Sequence, residues 1–236
     1  MANVAEQKRC LVTGASSGIG YAIAEHLISE GHLVTVTARR GERLATLEGA
    51  TKLSGDLTLP GFQNQLIELV TCNGAKCDYL FNCAGSIEVG VIEELNVDRM
   101  AAMLRINIEA TFRLTYLFLK KCRQQGYGHV VNISSVMGTK VRPTAGAYSA
   151  SKYAMEALSE ALRMELAGSD IKISCIEPGL VLTELHNRWE EHPKKSMNIR
   201  EPLLTSDIVE AVKFIMKQPV HVRIPRMMLL PRDHVI

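Results

Sequence analysis

The sequence predicts an α/β fold, a parallel sheet with helices on both faces. Two observations carry this: short apolar runs alternate with stretches of helical apolar spacing, and a glycine-rich loop joins the first run to the first helical stretch. Hydrophobic residues make up 47% of the 236 positions and charged residues 22%, enough apolar material for a core and far from the composition of a disordered chain.

The first run, Cys10-Leu11-Val12-Thr13, enters the loop Gly14-Ala15-Ser16-Ser17-Gly18-Ile19-Gly20, and residues 21–30 follow with helical spacing at Ile23, Leu27 and Ile28 until Gly31 stops them. Strands are then expected at 32–37, 52–54, 79–83, 130–133 and 171–176, and helices at 43–47, 60–70, 97–123 and 147–166. Pro60 stands where a helix tolerates proline, at its start. No fixed-period repeat or linker interrupts the chain, so residues 1–236 are expected to form one domain. Residues 184–202 break the rhythm just after a strand. In open α/β sheets ligands bind beyond the carboxyl ends of the strands, so a segment there is placed to cover one.

Composition also bounds the partners. A formal charge of +2, from 27 basic and 25 acidic residues, argues against a surface made to neutralise nucleic-acid phosphates. No run approaches the ~18 consecutive apolar residues of a membrane helix, and no signal peptide opens the chain. Six cysteines lack zinc-site or redox-pair spacing, so reduced, mostly buried thiols, no metal and a cytoplasmic location are expected.

Gly14, Gly18 and Gly20 suit a tight turn, close backbone approach to a pyrophosphate, and tight packing of helix on sheet; amides at the helix start would face the phosphates. NAD-preferring sites carry an acid at the end of the second strand to bond the ribose 2′-hydroxyl. Here that end reads Thr37-Ala38-Arg39-Arg40, and an arginine fork suits a 2′-phosphate, which points to NADP. Further along, Tyr148 and Lys152 are four apart, on one helix face, where an ammonium would favour ionisation of the phenol. Ser134 and Ser135 end the strand upstream; Ser135 could bond a substrate carbonyl while Tyr148 exchanges the proton.

With these residues in view the chain resembles the classical short-chain dehydrogenases/reductases, from near its start to past residue 230. Residues Thr13 through Gly20 match the family's cofactor loop and Tyr148 to Lys152 its YxxxK site; Asn82-Cys83-Ala84-Gly85 is similar to the NNAG strand end, with Cys83 in place of the second Asn. Asn107 matches the proton-relay Asn, Ser135 stands at the family's spacing of thirteen before Tyr148, Asp56 before Leu57 matches the adenine-side acid, and Pro178-Gly179, Val181 and Thr183 resemble the segment holding the nicotinamide carboxamide.

The resemblance implies a Rossmann-type, doubly wound sheet of seven strands, the last within the tail Arg223 to Ile236, and a homodimer or homotetramer. It implies cofactor contacts from Gly14, Ser16, Ser17, Gly18, Ile19, Gly20, Arg39, Arg40, Asp56, Leu57, Asn82, Ala84, Gly85, Tyr148, Lys152, Pro178, Gly179, Val181 and Thr183. It also implies catalysis by Asn107, Ser135, Tyr148 and Lys152. Hydride would pass between nicotinamide and a carbonyl carbon held by Ser135 and Tyr148, Lys152 would lower the tyrosine pKa, and Asn107 would hold a water linking Lys152 to solvent.

Glu177-Pro178-Gly179-Leu180-Val181, Ala38 through Leu44, and the run from Leu204 to Met228 are similar to the branch of NADP-dependent 3-hydroxy acid and serine dehydrogenases and related aldehyde reductases. A small polar hydroxy or carbonyl substrate follows; a 3-ketoacyl thioester or general ketone reductase, or a non-catalytic dinucleotide-binding regulator, are the alternatives. For an acidic substrate the candidate cations are Lys140, Arg142, His186 and Arg188, with Arg142 and Arg188 beside Ser135 and Tyr148 in the substrate set, and Trp189 could close the pocket.

Overall fold

The apolar runs pair side by side as parallel strands: β1 (Arg9–Thr13), β2 (Leu33–Ala38), β3 (Thr51–Ser54), β4 (Tyr79–Asn82), β5 (Tyr127–Ile133), β6 (Asp170–Pro178) and β7 (Arg226–Leu229). In the computed structural model, which describes residues 6–187, 189 and 191–236, they form one seven-stranded sheet in the order β3-β2-β1-β4-β5-β6-β7. The order reverses between β1 and β4. In register, Thr13 lies beside Thr37, Asn82 beside Asn132 and Ile133 beside Ile176, so the strand ends share one rim. That rim is where a doubly wound sheet binds its ligand.

Helices α1 (Gly18–Ser29), α2 (Gly41–Leu44), α3 (Pro60–Val70), α4 (Val97–Leu104), α5 (Thr111–Gln125), α6 (Gly146–Glu165), α7 (Pro193–Ser196) and α8 (Thr205–Met216) connect or cover the strands. The two-residue period of each strand sends neighbours into opposite cores. Cys10, Val12, Phe81 and Val131 pack with Ile23 and Leu27 of α1 and with Ile208, Val212 and Ile215 of α8. Leu11, Leu80 and Val130 pack on the other face with Leu66 of α3, Leu114 and Phe118 of α5, and Leu162 of α6. Each such side chain contributes about 1.5–3 kcal/mol by burial.

The stretch 97–123, expected as one helix, is interrupted. Residues Arg105–Ala110 form a π-helical turn between α4 and α5. The wider turn buries Asn107, whose amide donates to the Ser86 carbonyl at 2.9 Å and accepts from the Ser86 N–H at 3.0 Å. The Ala110 carbonyl accepts 3.0 Å from the Gln63 amide of α3. Such bulges occur where a helix must aim a side chain that a regular turn would misplace.

All six cysteines are free: Cys10, Cys77, Cys122 and Cys175 are buried, Cys83 is half-buried and Cys72 exposed. Among the described residues no helix is long and apolar enough to cross a membrane, and no group of three His, Cys, Asp or Glu is placed to hold a metal.

Candidate active site

Where β1 ends, Thr13 pins the neighbouring strand: its buried hydroxyl accepts the N–H groups of Cys83 and Ala84, both at 3.1 Å. This draws the Gly14 loop against β4. A Cβ on Gly14 would lie 2.8 Å from the Ala84 backbone, at φ +67°, and one on Gly20 would lie 2.6 Å from the Gly14 carbonyl oxygen. The two glycines thus make the turn and the tight helix packing. Gly18, at φ +56°, faces the Thr183 methyl group, which a Cβ would approach to 3.2 Å, so the loop and the segment after β6 come close here.

Ser17, the residue before α1, makes no side-chain cap, and no acid stands in the helix's first turn. The amides at this helix start therefore have no side-chain cap and no acid in the first turn, and a glycine cradle at such a helix N-terminus fits a dinucleotide pyrophosphate.

The β2 end adds cations. Arg40 donates to the Ser16 hydroxyl at 3.1 and 3.2 Å and to that of Ser17 at 2.6 Å. Its third contact is an ion pair with Glu184 at 3.0 Å, and Arg43 of α2, which sequence reasoning missed, pairs with the same carboxylate. Arg39 is exposed, near Asp56. Hydrogen bonds from the Thr58 N–H (2.9 Å) and hydroxyl (2.8 Å) hold the Asp56 carboxyl below its usual range, assisted by Arg39.

Some residues expected at the cofactor use their side chains elsewhere. The Asn82 amide donates to Thr115 at 3.0 Å and Asn132 at 2.8 Å, tying β4 to α5 and β5, and Leu57 is buried in the core. Leu57 has only backbone to offer, while the buried Asn82 side-chain oxygen is left without a partner. Gly179 makes room for the tail: a Cβ there would meet the His234 ring at 2.5 Å and Pro231 at 2.9 Å. Val181 is buried and bridges to Leu203, Pro178 ends β6, and Ile19, in the first turn of α1, packs against the core. Gly85 lies where a Cβ would press on the Asn107 amide at 3.1 Å.

Tyr148, in the first turn of α6, and Lys152, one turn on, are both buried. Burial pushes the Tyr148 phenol up, opposed by the Ser135 hydroxyl and the Arg142 guanidinium. The Lys152 ammonium lies over the Tyr148 ring, 5.8 Å from its centroid, donates to the Ile133 carbonyl at 2.9 Å, and has its pKa pulled down to about 8 by burial. Ser135 caps a short turn, accepting the Met137 N–H at 3.1 Å. Ser134 faces away, toward Gly138, where a Cβ would lie 2.9 Å from its hydroxyl.

Asn107 also reaches this helix, donating at 3.1 Å to Ser151, whose hydroxyl donates 2.7 Å to the Tyr148 carbonyl. Ser151, 44 residues from Asn107, has no local signal in the sequence. Both amide hydrogens of Asn107 are thus engaged by protein, so its side chain is not free to donate to a relay water.

Beside Tyr148, half-buried Arg142 lines a pocket of about 220 Å³ with Val89, Ala145, Trp189 and Met197. Neither this pocket nor a larger hollow of about 450 Å³, between Met197 and the tail residues Arg232, Asp233 and Val235, is lined by Ser135, Tyr148 or Lys152; the smaller one is tied to the site through Arg142, whose charge bears on the Tyr148 phenol. Of the other cations, Lys140 is exposed and Arg188 lies outside the described residues. His186 is a correction: burial, with His192 and Arg142 nearby, pulls its imidazole down to about 4, so it is neutral and cannot bind an anion by charge. Its ring instead packs edge-on to Trp189, centroids 5.0 Å apart.

Comparison with known proteins agrees with this geometry. The family model for short chain dehydrogenase matches residues 8–194. An uncharacterized oxidoreductase of Staphylococcus epidermidis is 30% identical over 236 residues, 98% of this chain and all of the relative. A closed form of serine dehydrogenase complexed with NADP+ superposes with a TM-score of 0.89 at 27% identity, covering 96% of each chain. An alcohol dehydrogenase from the archaeon Thermococcus sibiricus, complexed with 5-hydroxy-NADP, gives 0.87 at 25% identity, covering 98% of this chain and 99% of its own. With the glycine loop, the Tyr148–Lys152 helix and the match over residues 8–194 in hand, the chain belongs to the short-chain dehydrogenase family, as an oxidoreductase of CH–OH and C=O groups on a fold that binds a nicotinamide dinucleotide, and it resembles the serine and hydroxy acid dehydrogenase branch.

Proposed function

We propose that the protein is an NADP(H)-dependent oxidoreductase of small polar hydroxy acids and the matching carbonyl compounds, working as one catalytic domain with residues 184–202 as the cover of its substrate. The observation that carries the substrate class is Arg142, a half-buried guanidinium that lines a 220 Å³ pocket and whose charge bears on the Tyr148 phenol. A pocket of that size admits a few heavy atoms, and its one charged lining residue is a cation suited to a carboxylate.

The nicotinamide, when bound, supplies or accepts hydride. The glycine loop from Gly14 to Gly20 and the α1 amides would hold its pyrophosphate, and Asp56, Ala84, Gly85, Pro178, Gly179, Val181 and Thr183 would line its path with backbone and side chains. Arg40, held by Ser16 and Ser17, would take the 2′-phosphate with help from Arg39 and Arg43. Ser135 would donate to the substrate oxygen and Tyr148 would exchange the proton. The Tyr148 phenol, raised by burial, is protonated and ready to act as the acid in reduction. Lys152, released from the Ile133 carbonyl, would bond the nicotinamide ribose. With the Asn107 amide engaged, a relay water would be held through main chain of the π turn.

Free thiols suit a reducing cytoplasm. Exposed apolar side chains on neighbouring helices, Tyr116 of α5 and Tyr153 and Met164 of α6, would be covered in a homodimer or homotetramer. Assays of small hydroxy acids with NADP+, and of aldehydes, 3-keto acids and ketoacyl thioesters with NADPH, test the substrate class. We expect turnover to favour compounds carrying a carboxylate, and Arg142→Ala to raise KM for those alone. An unchanged KM for every acidic substrate would remove Arg142 from this role.

A further inference from the structure

Glu184 opens the segment that follows β6, yet its carboxylate reaches back to the end of β2 and the start of α2. One oxygen accepts from Arg40 at 3.0 Å and the other from Arg43, 144 and 141 residues earlier. The same Arg40 holds the Ser16 and Ser17 hydroxyls. Two guanidinium groups and two hydroxyls at the end of β2, beside a free helix N-terminus, form an anion site, and this protein fills it with its own carboxylate. A cofactor 2′-phosphate asks for the same donors. Carboxylate and phosphate would lie within a few Å of each other if both stayed, and like charges at that separation repel.

We propose that Glu184 is an internal occupant of the 2′-phosphate site, displaced from Arg40 and Arg43 when NADP(H) binds, so that the phosphate and not the dinucleotide as such releases the Glu184–His186 turn. This rests on the reading of Arg40 as the 2′-phosphate residue. The exchange is feasible because the ion pairs are shallow: the side chains of Arg40, Glu184 and Arg43 are 41%, 40% and 47% exposed, and exposed pairs of this kind are weak and screened by salt. The connection to the substrate side is short. Thr183 stands close against Gly18, while His186 packs against Trp189 of the pocket that Arg142 lines. Glu184 therefore has two effects. It competes with the phosphate, setting how strongly NADP(H) is preferred, and it links occupation of the adenosine side to the cover over the substrate.

The test uses the full chain and the emission of Trp189, its sole tryptophan, five residues from Glu184. Wild type and Glu184→Gln are titrated with NADP+, NAD+, 2′,5′-ADP and 5′-AMP, with binding read by calorimetry and the Trp189 environment by fluorescence; the two adenine nucleotides lack the nicotinamide ring that would itself quench. In wild type, 2′,5′-ADP should change Trp189 emission and 5′-AMP should not. Glu184→Gln should bind NADP+ about fivefold tighter, the scale of one screened ion pair, bind NAD+ within about twofold of wild type, and lose the emission response to 2′,5′-ADP. If wild type prefers NADP+ but Glu184→Gln binds it no tighter, the displacement is wrong while the Arg40 reading stands. If wild type binds NAD+ more tightly than NADP+, both fall.

Discussion

The Lys152 ammonium donates a 2.9 Å hydrogen bond to the main-chain carbonyl of Ile133, the last residue of β5. This contact ties α6 to the strand rim, and the charge it holds is buried. With burial bringing Lys152 to about 8, the amine loses its proton within an accessible range, whereas Tyr148, raised by burial, keeps its own. We expect kcat/KM for carbonyl reduction to be level below pH 8 and to fall about tenfold per unit above it. A level profile to pH 10 would show that the Lys152 charge is not used.

Tyr148→Phe removes the proton donor and little else, since the ring stays packed with Met103, Val136 and Met137. Reduction should fall by about 10²–10⁴-fold, the usual contribution of a positioned acid, with the melting temperature little changed and NADPH still bound. Stopped-flow and calorimetry separate the two effects; turnover within a few-fold of wild type would remove Tyr148 from the chemistry.

Two glycines separate backbone strain from collision. Gly31 has φ +80° with nothing within 4 Å of a Cβ, whereas Gly14 has φ +67° and the Ala84 backbone at 2.8 Å. Gly31→Ala should cost about 1 kcal/mol from backbone strain and leave cofactor affinity alone. Gly14→Ala should cost more, about 2–4 kcal/mol in denaturant titration from the added steric clash, and weaken dinucleotide binding. Equal costs for the two would mean that the loop does not press on β4.

His129 predicts acid sensitivity. The Ser174 hydroxyl donates to Ile224 at 2.6 Å and lies 2.9 Å from Nε2, which makes that nitrogen the donor of a neutral ring, and burial brings its pKa down to about 3. Below about 6.5 the unfolded chain takes up a proton that the folded one refuses, so stability is full above that pH and declines as pH falls toward 3. The decline attributable to His129 approaches about 1.4 kcal/mol per unit. Urea titrations at pH 7 and pH 5 should show a smaller loss for His129→Gln than for wild type. His186, brought down to about 4, adds to the loss in both proteins.

What could be read in advance was local. The glycine loop, the Tyr148–Lys152 spacing and the β1 to β6 runs each lie within about twenty residues, where periodicity and turn chemistry act. The π turn at Arg105–Ala110 was not legible, because its cause is a partner at Ser86 and another at Ser151. The same holds for Glu184, which meets Arg40 and Arg43 only once the sheet has formed, and for Gly179, whose bare Cα serves His234 in the tail. Lys152 shows a subtler gap: spacing placed it beside Tyr148, but its hydrogen bond goes to a carbonyl on another element. β7 had support only from the family resemblance, and α8 was not expected as a helix.

The most direct test compares kcat/KM for NADPH and NADH in wild type and in Arg40→Ala, with one small carbonyl acid as the common substrate. A charge-assisted contact to the phosphate is worth about 1.5–3 kcal/mol, so NADPH should be preferred by about 10–150-fold in wild type, and the preference should fall mostly through the NADPH value in Arg40→Ala. Equal use of the two cofactors by wild type, or a preference for NADH, would contradict the account.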